Sequence, residues 1–492
     1  MGVIARQSFK ASIVGFLGVG VGAINVLFIL PKFLTPEEIG VVSTIQRASI
    51  LLYSLMILGV VFSIRKFNKE TIRGKSYGHS QFLGANGIFL LGSITLYSLA
   101  YILNHDLFVD FFIQNSAALV EFVYLPLVLA IVIVFFHYFF AISGSFYRIT
   151  LPNFFNGFVN RVMVIFAIVA YGYGLLQFES FVYAYQFLFY GVPLVLTMLY
   201  VLKVLKVRIV IPSIQQLKDV LQDTFRYNVF LYLTITSSII IISIDTLMIS
   251  SMKGTYETGV YTIAFFIATI IEIPQRMLVQ VASPMLSNKI KDNKLDDLKD
   301  IYQKSSMVQL FIGYSIFILI WFNLDALYAI MPNGNLYQTG ATVVLLISAA
   351  KIIDIGFGLN KQIIEMSDYF SYNLYINILL SILVIVLNLV LIPTYGINGA
   401  ALASLLAVST TNFISFLLVW FKSKIIPFSK KTLIILGYSL LSGFALHYFL
   451  PAIENPWLSI ALNSLIMGAF ILVLAYLIDM MRMVNELKIF RS

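Results

Sequence analysis

The sequence contains no cysteine, which excludes disulfides, thiolate metal sites and thiol nucleophiles. Histidine is scarce as well. The four present, His79, His105, His137 and His447, are widely spaced, with no pair four residues apart to suggest a metal site on a helix. No metal centre and no other cofactor is therefore expected. Charge is the third scarcity: 11% of the 492 residues are Asp, Glu, Lys or Arg, against about 25% in an ordinary soluble domain. A soluble chain of this length would need polar surface for two or more domains. Here the charges sit in short segments between long apolar runs, and 60% of the residues are hydrophobic. Those runs must face lipid.

Apolar stretches of roughly twenty residues mark about fourteen transmembrane segments. The first six lie near 8 to 31, 41 to 64, 82 to 104, 117 to 142, 152 to 176 and 180 to 204. Eight more lie near 227 to 251, 257 to 283, 306 to 331, 338 to 361, 371 to 393, 396 to 421, 432 to 451 and 457 to 481. The fold class expected is an all-α integral membrane protein. The basic opening MGVIARQSFK leads into an apolar run reaching Leu30 without a small-residue cleavage site. It reads as a retained first span, not a signal peptide.

The net charge of +9 does not point to nucleic acid, because the basic residues flank apolar spans in small clusters. They report sidedness instead. Of the 32 Lys and Arg, 26 fall on the side of the termini and only Lys32 and Lys253 on the other. By the positive-inside rule both termini are cytoplasmic. External connections are short, and no room is left for an extramembrane catalytic domain, so no enzyme activity is expected. The segment 286 to 305 carries Leu295, Leu298 and Ile301 at helical spacing amid charges. It fits either an amphipathic helix on the inner surface or a solvated connector.

An internal repeat emerges at the first external turn of each half. Ile24-Asn25, Thr35, Glu38 and Gly40-Val41 match Ile244-Asp245, Thr255, Glu257 and Gly259-Val260. An even number of spans separates the copies, so the repeat is parallel. The expected division is an N-lobe over 1–225, a C-lobe over 226–425 and two C-terminal helices over 426–492, with two pseudo-symmetric six-helix lobes around a cavity. That architecture suits transport by alternating access.

Ionisable groups inside a membrane are costly and are functional candidates by default. Four cations fall within spans: Arg47, Arg161, Arg276 and Lys351. Arg161 and Lys351 lie deepest, about 13 Å or more from the nearer span end at 1.5 Å per residue. Cavity cations suit an anionic head group such as a phosphate or pyrophosphate. Arg47 and Arg276, nearer their span ends, could instead snorkel to the head-group region. Lys351 precedes Asp354 by three residues and Glu272 precedes Arg276 by four, spacings at which each pair can neutralise itself on one helix face. Asp245, Glu272 and Asp354 are the candidates for coupling an ion, H+ or Na+. Asp245 could equally anchor the external turn. His137, among Phe135, Phe136, Tyr138 and Phe139, is either a proton relay or a packed ring. Gly18 and Gly22 permit close helix contact or a local bend, and Pro274 implies a kink.

Gly74-Lys75-Ser76 resembles the end of a phosphate-binding loop, but Lys69 occupies the place of its first glycine. No nucleotide site follows, and an ion gradient is the expected energy source. Four stretches carry a wider resemblance: Leu30-Pro31-Lys32-Phe33-Leu34-Thr35-Pro36-Glu37-Glu38-Ile39-Gly40; Ile244-Asp245 with Gly259-Val260-Tyr261; Glu272-Ile273-Pro274 with Pro284-Met285-Leu286-Ser287; and the run from Asn388 through Pro393-Thr394-Tyr395-Gly396 to Ala401. In these the chain resembles the polysaccharide transporters, or O-antigen flippases, of the multidrug/oligosaccharidyl-lipid/polysaccharide exporter superfamily. The resemblance implies that an undecaprenyl-diphosphate-linked oligosaccharide is flipped from the cytoplasmic to the external leaflet of a bacterial plasma membrane, with polysaccharide assembly proteins as partners. A drug/cation antiporter or a lipid II flippase of the same superfamily is the near alternative. A membrane polysaccharide polymerase is the rival from another class.

Overall fold

The computed structural model describes residues 17–67, 74–292, 294–451 and 453–479. Every regular element among them is helical, as hydrocarbon demands of a backbone that has no water to bond. The expected cytoplasmic ends, before residue 17 and after 479, lie outside the described residues.

Helix α1 (Leu17–Phe33) turns at Leu34 into α2 (Pro36–Met56). Thr35 and Glu38 close a reciprocal capping box there, with Pro36 in the first helical turn. The second span, expected as one piece, breaks at Leu58 and Gly59, both at positive φ, and resumes as α3 (Val60–Lys66). The break has a packing cause. A Cβ on Gly59 would stand 2.3 Å from the Asn228 carbonyl oxygen, so only glycine admits this approach.

Next come α4 (His79–Leu103), α5 (His105–Ile113) and α6 (Leu125–Ser145). The fourth span starts later than expected because residues 117–122 form a 3-10 turn and Pro126 opens the helix. Then follow α7 (Thr150–Gly172), α8 (Phe178–Val204) and the 40-residue α9 (Ile214–Lys253). Helix α9 begins well before the expected span because Ser213 and Gln216 form a second capping box.

The remaining helices are α10 (Thr255–Thr269), α11 (Ile273–Lys291), α12 (Leu295–Trp321), α13 (Leu324–Ile330), α14 (Ala341–Gly356), α15 (Asn360–Met366), α16 (Ser371–Ser423), α17 (Lys430–Phe449) and α18 (Pro456–Leu477). Twelve helices among the described residues are long and apolar enough to cross a membrane. Gly396, at φ 58 and ψ −136, divides the 53-residue α16 into two, and α1 adds a further apolar helix. The chain is a multi-pass membrane protein of about fourteen helices.

Two compact units result, 1–259 and 260–492. The seventh span, assigned to the second lobe by the repeat, is compact with the first unit, because α9 packs along α2. The first unit is centred on Met56, Ile57, Phe82, Val134 and Ile142. In the second, Leu286, Tyr302, Leu359 and Ile364 form one core, and Met307, Ile318, Met467 and Leu474 another. The segment around 295–305 is helical and two-faced, as the amphipathic reading expected and the connector reading did not. It opens α12 and runs on into the ninth span, with Leu298, Ile301 and Tyr302 buried and Leu295, Asp296, Asp297, Lys299 and Asp300 exposed.

The near phosphate-loop stretch is structural. Lys75 Nζ lies 3.2 Å from Asp223 Oδ1, Tyr77 donates to Asp223 Oδ2 at 2.7 Å, Ser76 donates to Asp219, and Gln216 donates to the Ser76 carbonyl at 3.2 Å. Burial and the Asp223 contact push the Tyr77 hydroxyl above its ordinary titration range. The stretch therefore fastens the entry to α4 onto the first turns of α9.

Candidate functional site

Among the described residues, charges that the sequence places within spans occur in both units. In the second unit Pro274 has the effect expected of it. The 3-10 turn Ile270–Glu272 interrupts the path from α10 to α11, with Pro274 in the first turn of α11. Glu272 sits in that turn and reaches two cations. Its Oε2 accepts from Lys351 Nζ at 2.7 Å, and its Oε1 lies 3.5 Å from Arg276 Nε.

One turn along α14, Asp354 has different partners. Its Oδ1 accepts from Lys361 Nζ at 2.5 Å and from Asn412 Nδ2 at 2.7 Å. Asn360 completes the group, accepting from the Lys361 backbone N–H at 2.7 Å. The spacing-based pairing is thus half replaced. Glu272 keeps Arg276 but gains Lys351 from another helix, while Asp354 neutralises Lys361. Lys361, counted by sequence among the cations of the cytoplasmic side, belongs to this network. The sequence signal for it was the break at Phe357–Leu359, where Gly358 takes a positive φ and turns Asn360 and Lys361 back towards α14.

Three cations against two carboxylates leave this cluster one positive charge in excess. The excess sits at the edge: the Arg276 side chain is 69% exposed, against 25% for Lys351 and 18% for Asp354. Arg276 makes one long ion contact and no hydrogen bond among the described residues. Its remaining N–H donors are open to an anion.

In the first unit Arg161 extends from α7 just after a π-helical turn, Phe155–Val159. Its guanidinium lies on the two glycines of α1. A Cβ on Gly22 would stand 2.9 Å from Nη1 and 3.0 Å from Cζ, and one on Gly18 would stand 2.3 Å from the Gly157 carbonyl oxygen. Of the two readings of these glycines, the structure selects close contact. Tyr185 on α8 stands within electrostatic reach of Arg161 and beside Gln46, and Tyr190 stands within reach of Arg47. The Arg161 side chain has no ion pair and no hydrogen bond among the described residues. A half-buried cation without a counter-ion is costly, and its open face must be satisfied by water or an anionic ligand.

Asp245 is buried and partnered in α9. His137 is a packed ring. It stacks on Tyr53 at 4.7 Å and meets Phe136 and Phe140 edge-on, with no hydrogen bond among the described residues from which a proton relay could start. No group of three metal-ligating side chains occurs among the described residues.

No protein-family model matches the sequence. A capsular polysaccharide biosynthesis protein, CapF of Staphylococcus aureus, is 24% identical over 159 residues, 32% of this chain and 40% of that protein; the match thus spans under half of the relative's length. Among solved structures, the lipid II flippase MurJ in an inward closed conformation superposes over 96% of this chain and 98% of its own, with TM-score 0.71 and 15% identity. An inward-facing multidrug resistance MATE transporter of the MOP superfamily covers 86% of this chain and 98% of its own, with TM-score 0.62 and 16% identity. A MOP transporter from Pyrococcus furiosus, described as having a binding pocket of reversed polarity, covers 86% and 96% with TM-score 0.57 and 15% identity. The fold is the one these transporters share.

Proposed function

We propose that this chain, built on the fold of the MOP flippases and exporters, flips a polyprenyl-diphosphate-linked oligosaccharide from the cytoplasmic to the external leaflet by alternating access, without enzymatic chemistry. The observation that carries the reading is Arg161. Its guanidinium is half-buried, seated on Gly22, and has no acid to neutralise it among the described residues. A diphosphate supplies what such a group lacks, two negative charges and acceptor oxygens that fit a guanidinium fork. Arg47, Arg276 and Lys351 are the further substrate-binding cations, and the exposed Arg276 is the one best placed to meet the ligand first.

Ion coupling follows from the Glu272–Lys351 pair. A proton taken up by Glu272 removes the charge that holds Lys351, freeing its ammonium for phosphate, and loss of that proton restores the pair. Asp354 and Asp245 are the other coupling candidates. The membrane proposed is a bacterial plasma membrane, with both termini cytoplasmic and polysaccharide assembly proteins as partners.

Reconstitution with a fluorescent lipid-diphosphate sugar, followed by accessibility in each leaflet, tests the reading. Wild type should move the probe, and Arg161→Ala should lower the rate at least ten-fold. Equal rates would remove the cation from the mechanism. Lipid II is the second substrate reading, favoured by the near-complete superposition on a lipid II flippase. Competition between lipid II and a longer lipid-linked oligosaccharide in the same vesicles separates the two.

A further inference from the structure

The first unit contains a cavity of about 380 Å³ that the transport reading does not use. Its walls include Ala48, Leu52 and Leu55 of α2, Phe108 and Phe112 at α5, and Leu247 of α9. Thr44 and Tyr101 are its polar wall residues, and both are spent. The Thr44 hydroxyl donates to the Gly40 carbonyl at 2.8 Å and the Tyr101 hydroxyl to the Val123 carbonyl at 2.7 Å. Water would need two to four polar partners to stay, and the wall offers it almost none.

Hydrogen bonds beyond the lining fasten the α5 wall to α9. Asn115 donates to the Ser251 carbonyl at 2.7 Å, Ser116 to the Ser250 carbonyl at 2.6 Å, and the Ser251 hydroxyl to the Phe111 carbonyl at 2.5 Å. These pin the end of α5 and the residues after it to the end of α9.

The mouth identifies the occupant. Leu107 and Phe111 line the cavity and are also exposed, at 66% and 46%, on an apolar outer face, and Leu96, Leu99 and Leu103 of the preceding α4 are exposed as well. In a multi-pass membrane protein that face meets hydrocarbon. Helix α5 also carries exposed Asp106 and Asp110, four residues apart on the side opposite its lining residues, with Asp106 Oδ1 3.2 Å from His105 Nε2, as in a helix lying at the interface. No Lys or Arg lines the cavity. With the apolar face of α5 on the cavity and its acidic face towards the head groups, the two acids oppose a diphosphate there and favour an ammonium.

We propose that this cavity is a lipid site that takes one acyl chain of a zwitterionic phospholipid, with the lipid's ammonium against Asp106 and Asp110. A chain there restores the dispersion contacts that an empty lining of this size forfeits.

The test uses the full-length protein in vesicles carrying a trace of phosphatidylethanolamine with a photoactivatable group near one chain terminus, the labelled peptides being mapped by mass spectrometry. Labels are expected on the segments around Leu52 and Phe112. Ala48→Phe with Leu247→Phe should lower them at least five-fold, while labelling of the exposed Leu440 and Phe444 on α17 stays unchanged. Should that variant not fold, wild type suffices: unlabelled long-chain phosphatidylethanolamine in a short-chain host lipid should compete saturably at the cavity and only by dilution at α17. Equal labelling in the filled variant, dilution-only behaviour at the cavity, or labelling by a photoactivatable polyprenyl phosphate in place of the phospholipid each overturns the proposal.

Discussion

Gly40 and Gly259 pack reciprocally. A Cβ on Gly40 would lie 1.8 Å from the Thr255 carbonyl oxygen, and a Cβ on Gly259 would lie 1.8 Å from the Pro36 carbonyl oxygen. These are the glycines that the sequence comparison pairs, Gly40-Val41 with Gly259-Val260. The starts of α2 and α10 touch backbone to backbone, which no other residue type allows.

From this contact, Gly40→Ala and Gly259→Ala should each force a backbone shift and lower stability by about 1–3 kcal/mol, as overpacking does. Gly20→Ala, with open space around it, should be neutral or slightly stabilising, since alanine is the better helix former. Thermal unfolding in one detergent compares the three, and a Gly40→Ala melting point equal to wild type would contradict the contact.

Arg161 gives a second test that leaves the arginine in place. Gly22→Ala puts a methyl group 2.9 Å from Nη1, so the guanidinium must move. Transport of the lipid-diphosphate probe should fall several-fold, with the melting point close to wild type. Gly157→Ala, whose Cβ meets nothing within 4 Å, should keep wild-type transport.

For the Glu272 network a double-mutant cycle is decisive. Glu272→Gln and Lys351→Met should each destabilise, since each leaves a half-buried charge without its closest partner. The double variant should recover part of the loss, with a coupling of about 0.5–3 kcal/mol. Additive losses would mean that the 2.7 Å contact contributes nothing.

Lys361 makes a sharper distinction. If it were a solvated cation of the cytoplasmic side, Lys361→Met would be silent. As the partner of Asp354 at 2.5 Å, its removal should lower the melting point. Asp354→Asn combined with Lys361→Met should be milder than Lys361→Met alone.

Asp223 anchors the entry to α4. Asp223→Ala removes partners of both Lys75 and Tyr77, and amide exchange at residues 74–79 should accelerate at least ten-fold while α6 is unaffected. Tyr77→Phe, losing one of these bonds, should show a smaller increase.

The number of spans, the cap at Thr35, the break at Pro274 and the all-helical class were legible in the sequence, because each depends on neighbours along the chain: a run of apolar residues, a capping box, a missing N–H. Glu272, Lys351 and Asp354 were legible as charges inside apolar runs, since such a charge stands out by contrast; Lys361, at the end of its run, was not, and Arg276 proved exposed. Which charges meet was not legible. Helical spacing ranks partners only within one helix, so it offered Lys351–Asp354, whereas the fold brings Lys351 to Glu272 and turns Lys361 back onto Asp354. The same limit explains Gly59, the start of α12 and the cavity under α5. Each depends on what another helix presents at that height, and only tertiary packing decides that.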